Sequence, residues 1–295
     1  MQERIEILSV DLMEKHRPLV KALKKLARSL DLEFGWHYLL DLTWILSQLG
    51  NVTGMRILDA GAGTGLIQWH LASQGANVIS VDRTSRTHLP LRFRRRFRVR
   101  GLRPTDLAPY SQVLRQNLKR QGSPAGKLIS QAKELSPLLD QRRSPGRIWI
   151  YNQDLSSLPE INDQSVDAIV AVSALEHNHP DELGSVIGEL LRVLKPGGAL
   201  LATLGAAREQ DWLHAPSQGW CYTDHSLRRL FALPAEAPSN YARFDELFAA
   251  LKSCAELRDH LARFYFRSGD NGMPWGAWDP SYQPVGVYKI KGMTS

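Results

Sequence analysis

The run Arg56-Ile57-Leu58-Asp59-Ala60, followed at once by Gly61-Ala62-Gly63-Thr64-Gly65, constrains this chain more than any other stretch. It reads as a short buried strand ending in a glycine-rich turn, after which Leu66 to Gln74 reads as a helix closing at Gly75. Glycines let a backbone turn tightly and approach a ligand, and a helix N-terminus offers free N–H groups. A nucleotide-like cofactor is therefore implied. A dinucleotide fingerprint would want Gly-x-Gly-x-x-Gly, but Leu66 stands three places after Gly63, and Asp59 would repel a pyrophosphate. S-adenosylmethionine has no phosphate and carries positive charge on its sulfonium and amino groups, so an acidic turn suits it better.

The downstream pattern agrees with such a turn. Asn77 to Val81 reads as a second strand, and Asp82, 17 residues after Gly65, is placed at its end to accept both ribose hydroxyls. Hydrogen bonds to a charged acceptor contribute roughly 1.5–3 kcal/mol each. Asn152-Gln153-Asp154-Leu155 follows a third strand, Ile148 to Tyr151, where a carboxylate can accept from an adenine amino group. Val166 to Val172, a helix from Glu182 to Leu194, a turn at Lys195-Pro196-Gly197-Gly198 and a strand from Ala199 to Leu204 continue the alternation. Strands alternating with helices imply an α/β fold with a parallel sheet covered on both faces. Residues 12 to 31 and 36 to 49 predict two N-terminal helices, so residues 1–50 read as a helical cap and 51–295 as the main domain. Short helices are expected over Ser226 to Phe231 and Phe244 to Leu251, and Ala262 to Arg267 with Val285 to Ile290 reads as an antiparallel edge pair.

With these residues in place, the sequence resembles the class I S-adenosylmethionine-dependent methyltransferases, in particular the type 11 group that includes ubiquinone and menaquinone biosynthesis enzymes. The matching residues are Ile57 to Gly65, Val81-Asp82, Gln153-Asp154-Leu155, Ser173-Ala174-Leu175-Glu176-His177 and Glu189 to Gly198. The resemblance implies a Rossmann-like seven-stranded sheet with the last strand antiparallel, and S-adenosylmethionine as cofactor with S-adenosylhomocysteine as its product. It places Asp59, Ala60, Gly61, Gly63 and Gly65 near the methionine end, Asp82 on the ribose and Asp154 with Leu155 on adenine, with Arg83 and Ser173 also among the cofactor-binding residues. These motifs speak for the cofactor and hardly at all for the acceptor.

In this family the end of the fourth strand faces the transferable methyl. Here it reads Val172-Ser173-Ala174-Leu175-Glu176-His177, without the Asn/Asp-Pro-Pro-aromatic element or the Cys beside Pro of common base-modifying enzymes. A small-molecule acceptor, methylated on oxygen, nitrogen or carbon, is the leading expectation. His177 is the candidate general base, weighed against a structural or cofactor-supporting role. Glu176, His177, His179 and Asp181 lack the spacing of a metal site, and no metal is expected. Trp212, His214, Trp220 and Tyr222 in one loop, and Trp275, Trp278 and Tyr282 in another, are candidates for an apolar wall or an amine cage, or for packing their own loops.

Charge is unevenly placed. Residues 83–147 hold seventeen Lys and Arg against Asp106, Glu134 and Asp140, a net +14 inside a chain of net +7. This basic insert is expected to be a lid or subdomain, because Asp82 and Asp154 lie further apart than one helix requires. Within it, Leu91 to Arg100 alternates apolar and arginine positions apart from Arg95, the pattern of a strand with one arginine face, and 110–119 and 128–139 look helical. Candidate anionic partners are RNA, an acidic carrier protein, an anionic lipid surface or a phosphorylated substrate. An RNA-directed methyltransferase and a non-catalytic S-adenosylmethionine-binding protein are the alternative functions. Two cysteines and no apolar leader after Met1 give a cytoplasmic expectation, and no run is long and apolar enough to span a membrane.

Overall fold

The computed structural model describes residues 2–120, 144–266, 273 and 276–293. Its strands are β1 (Arg4–Ile7), β2 (Arg56–Ala60), β3 (Asn77–Asp82), β4 (Arg98–Gly101), β5 (Arg147–Asn152), β6 (Val166–Val172), β7 (Leu194–Ala206), β8 (Trp212–His214), β9 (Gly219–Tyr222) and β10 (Gln283–Ile290). The chain divides into two compact units, Asn51–Glu160 and Met1–Gly50 with Ile161–Ser295. Among the described residues no helix is long and apolar enough to cross a membrane.

In the unit Asn51–Glu160, β2 pairs parallel with β3, β3 with β5, and β5 with β4. Ile57, Leu58, Val78, Ile79, Val81, Ile148 and Ile150 are buried on both faces of these strands, the near-continuous apolar pattern of a covered parallel sheet. The helix Ile67–Ser73 makes the crossover between β2 and β3.

The expected arginine-faced strand over Leu91 to Arg100 is corrected. Leu91–Arg96 is a helix beginning after Pro90, and only Arg98–Gly101 is strand. Four residues of alternation fit both periods, and packing decides between them. Helical spacing puts Phe93 and Phe97 on one face, where Phe93 stacks on Trp69 at 4.7 Å between centroids and 16° between planes, and Phe97 meets the same ring at 4.9 Å. Leu91 packs with Ala108 and Val113. The helix Tyr110–Arg120 agrees with expectation, whereas the segment 128–139 lies outside the described residues.

In the other unit β6 pairs parallel with β7, and β10 runs antiparallel between β7 and β1. The expected edge pair is therefore corrected as well: Arg263–Phe266 is a 3-10 turn, and the edge of β10 is taken by β1, whose Ile5 and Ile7 are buried while Arg4 and Glu6 are only partly covered. β1 escaped the sequence reading because four residues carry too little periodicity. The turn at Lys195 to Gly198 is also corrected, being absorbed into β7, where Gly197 takes φ +76° and the register against β6 shifts between Val166 and Ala168. Gly286 of β10 is a second obligatory glycine. A Cβ there would lie 2.6 Å from the ring of Trp44, which the helix Tyr38–Leu49 lays against the strand.

Candidate functional site

The glycine turn and the acid after β3 are joined directly. Gly61 and Gly63 take φ of +71° and +47°, the region that favours glycine. The Gly63 N–H donates to Oδ2 of Asp82 at 2.7 Å, and the Thr84 N–H donates to Oδ1 at 2.6 Å. Gln68, on the helix after the turn, donates towards the carbonyl of Gly65 at 3.2 Å and accepts from the Ser80 hydroxyl at 2.7 Å. Asp59 is buried at the end of β2. Burial pushes its carboxyl up to about 7, opposed by Arg86 and assisted by the nearby charge of Asp82.

Arg86 is the residue sequence reasoning missed. It is buried, donates to the carbonyls of Ser80 at 2.6 Å and Tyr151 at 3.2 Å and to the Ser80 hydroxyl, and reaches the carbonyl of Gly63 at 3.3 Å. A buried guanidinium offsets two acids that would otherwise repel each other. Its sign in the sequence is a cation four places after Asp82, hidden among the many arginines of the basic insert. Arg83, which was expected near the cofactor, is exposed, and its charge helps hold the exposed Asp154 below the usual carboxylate range, after the larger effect of the Ser156 N–H. Leu155 is buried beside it in sequence, and Ala60 is fully buried at the end of β2.

The unit containing β6 carries the remaining candidates. Ser173 takes φ +46°, its N–H donates to the Thr203 carbonyl and hydroxyl, each at 3.1 Å, and its hydroxyl donates to Oε1 of Glu176 at 2.5 Å. Burial raises the Glu176 carboxyl, and its Oε2 has no hydrogen-bond partner among the described residues. His177 is exposed, with Nδ1 3.2 Å from the carbonyl of Gln218.

Aromatic residues from both predicted loops converge, joined by the N-terminal segment. Trp212, His214 and Tyr282 form edge contacts, His214 to Tyr282 at 5.0 Å, and Tyr282 meets Trp36 at 4.9 Å. Trp278 reaches Trp36 at 6.0 Å and donates to the Lys252 carbonyl at 2.9 Å. Trp220 instead faces His179, and Tyr222 is buried with its hydroxyl unpartnered. Trp275 lies outside the described residues. The loop expected at 212–222 contains the hairpin of β8 and β9. Behind the aromatics His37 and Asp41 are both buried, with Nδ1 of His37 2.5 Å from Oδ2 of Asp41 and Nε2 3.4 Å from the Tyr282 hydroxyl. Two polar residues at helical spacing interrupting an apolar run were the available sign of this pair. Among the described residues there is no metal-binding group of three or more His, Cys, Asp or Glu side chains.

Residues 113–202 match the family model described as a methyltransferase domain. That stretch of the chain is similar to a methyltransferase domain. The matched stretch is under a third of the chain and spans β5, β6, the helix Pro180–Val193 and most of β7, starting beyond the glycine turn. No match is found among the curated proteins. Solved structures similar to this chain include the geranyl diphosphate C-methyltransferase of Streptomyces coelicolor A3(2), in complex with Mg2+, geranyl diphosphate and S-adenosyl-L-homocysteine, at 13% identity over 86% of this chain and 78% of that one with a TM-score of 0.49. The [4+2]-cyclase SpnF is 16% identical over 99% and 100% of the two chains, also at 0.49. The 1,6-didemethyltoxoflavin-N1-methyltransferase of Burkholderia thailandensis is 14% identical over 96% and 86%, at 0.45.

Proposed function

We propose that this protein is a methyltransferase that moves the methyl group of S-adenosylmethionine to an oxygen, nitrogen or carbon of a small-molecule acceptor. The observation that carries the cofactor is Asp59 Oδ2, a buried carboxylate oxygen with no hydrogen-bond partner among the described residues, set at the end of β2 where the glycine turn begins. An orphaned acid needs a cation or a donor, and the cofactor's amino group is both. The bound cofactor supplies an already activated methyl. Asp82, whose two oxygens each accept one backbone N–H, retains lone pairs for the ribose hydroxyls. Asp154 and Leu155 serve the adenine and Arg83 flanks them, and in the other unit Ser173 is the remaining candidate cofactor residue.

On the acceptor side, Trp212, His214 and Trp278, together with Trp36 and Tyr282, offer a wall suited to a flat or apolar molecule. Trp220, Tyr222 and His177 complete the candidate acceptor residues, His177 as the base for a protic acceptor. Cofactor binding without turnover has no observation in its favour that this reading lacks. Calorimetric titration with S-adenosylhomocysteine tests the cofactor assignment without the acceptor. Saturable one-site binding is expected, and no binding by folded protein overturns it. A screen of small-molecule acceptors with radiolabelled cofactor then tests the reaction.

A further inference from the structure

The outer strands of the unit Asn51–Glu160 carry a basic ledge that the cofactor site does not use. Arg98 of β4 lies opposite Arg147 of β5, and Arg100 lies opposite Trp149. Partners in register share a face of the sheet, and residues two apart on one strand share it too. Three arginines and a tryptophan therefore stand together on one face. All three arginines are exposed and Trp149 is half-buried, whereas Val99, Ile148 and Ile150 turn the other way, the two isoleucines fully buried. Among the described residues the side chains of Arg98, Arg100 and Arg147 make no hydrogen bond or ion pair. Asp106 and Glu160 pair instead with Arg103, which lies over the Tyr151 ring. Like charges directly opposite on adjacent strands are destabilising, so the Arg98–Arg147 pair is a cost that an anion removes.

We propose that this ledge binds single-stranded nucleic acid, as a docking surface separate from the methyl-transfer site. The separation follows from the strand directions. Arg98 and Arg147 open their strands, while the glycine turn and Asp82 follow the C-terminal ends of β2 and β3, which run parallel to them. Single strands are held by cations that track phosphates and by aromatic faces on which bases stack. Arg98 and Arg100 are spaced by two residues, roughly 6.5–7 Å along an extended chain, and Trp149 stands beside them as the stacking surface. A lipid surface fits less well, since anchoring there calls for protruding apolar side chains, and Trp149 is the one aromatic on the ledge and is half-buried. The three arginines sit within the segment 83–147 of net charge +14, so the wider field also favours a polyanion.

Fluorescence anisotropy with a labelled twelve-nucleotide oligouridine, using the full chain, tests the proposal. Binding is expected to weaken with salt, with a log–log slope near −2 for three phosphate contacts. The triple variant Arg98→Ala/Arg100→Ala/Arg147→Ala is expected to bind at least tenfold more weakly with a smaller slope, and Trp149→Leu at least fivefold more weakly, both with native circular dichroism and melting. A control of equal charge change, Lys15→Ala/Lys21→Ala/Lys25→Ala, is expected to bind like the wild type. Where the triple arginine variant fails to fold, single Arg98→Ala and Arg100→Ala variants carry the test with about threefold losses each. No binding by the wild type, equal loss in the lysine control, or unchanged binding in the folded arginine variants overturns the proposal. Binding only to vesicles of phosphatidylserine also overturns it, in favour of a membrane.

Discussion

The Gly63 N–H and the Asp82 carboxylate meet at 2.7 Å, which makes the glycine turn and the strand-end acid a single structural unit. Asp82 therefore both shapes the turn and offers its free lone pairs outward. Replacing it removes a charged acceptor worth roughly 1.5–3 kcal/mol per hydrogen bond. Asp82→Ala is expected to weaken S-adenosylhomocysteine binding at least about tenfold by calorimetry and to lower the melting temperature, since Gly63 and Thr84 lose their partner. Unchanged affinity in the folded variant would remove Asp82 from the ribose.

Asp59 gives a pH signature. Its carboxyl is raised to about 7 by burial, with Arg86 opposing and Asp82 adding to the shift. Between about pH 4 and 7 the folded protein keeps a proton that the unfolded chain has lost, so this group's contribution to stability falls as pH rises through that window. The slope is at most about 1.4 kcal/mol per pH unit. Melting temperatures from pH 5 to 8 are expected to fall more steeply for the wild type than for Asp59→Asn, whose side chain does not titrate. Parallel curves would show that Asp59 is ionised throughout.

What the sequence could show followed from how local each signal was. β2, the glycine turn and β3 were readable because strand, turn and helix are each encoded by adjacent residues. β1 and the hairpin of β8 and β9 were not, because three or four residues acquire strand form only from a partner elsewhere in the chain. Leu91 to Arg96 misled for a related reason, its alternation being resolved by Trp69, more than twenty positions upstream. The same rule divides the site. Asp59 and Asp82 announce themselves by position, whereas Arg86 and the His37–Asp41 pair leave only faint signs in the sequence and take their meaning from what they touch.

That pair predicts a stability effect. His37 and Asp41 are both almost wholly buried, and among the described residues Asp41 Oδ1 has no partner, so the contact through Oδ2 holds the carboxyl group. Removing one member of a buried pair costs about 3–5 kcal/mol, whereas replacing both by apolar groups of similar size is far milder. Asp41→Leu and His37→Phe are each expected to melt several degrees lower than the wild type. The double variant is expected to recover part of the loss by differential scanning calorimetry, and strict additivity would mean that the two side chains do not interact.

The start of the basic insert is core rather than a detachable lid. Phe93 stacks on Trp69, Phe97 tilts against the same ring, and all three are at most 2% exposed, so this stretch is held by the helix that follows the glycine turn. Phe93→Ala is expected to cost about 3–5 kcal/mol, as large aromatic truncations in a core do. In a double-mutant cycle with Trp69→Ala the two losses should fall short of additivity by about 0.5–1.5 kcal/mol, the worth of the ring pair beyond its buried area. Deleting residues 91–100 would remove both phenylalanines and β4 together, and is expected to abolish S-adenosylhomocysteine binding along with the native melting transition. A lid resting on a complete domain behaves otherwise, since its deletion leaves the melting transition in place. Retention of that transition after the deletion would return Leu91 to Arg100 to the periphery of the fold.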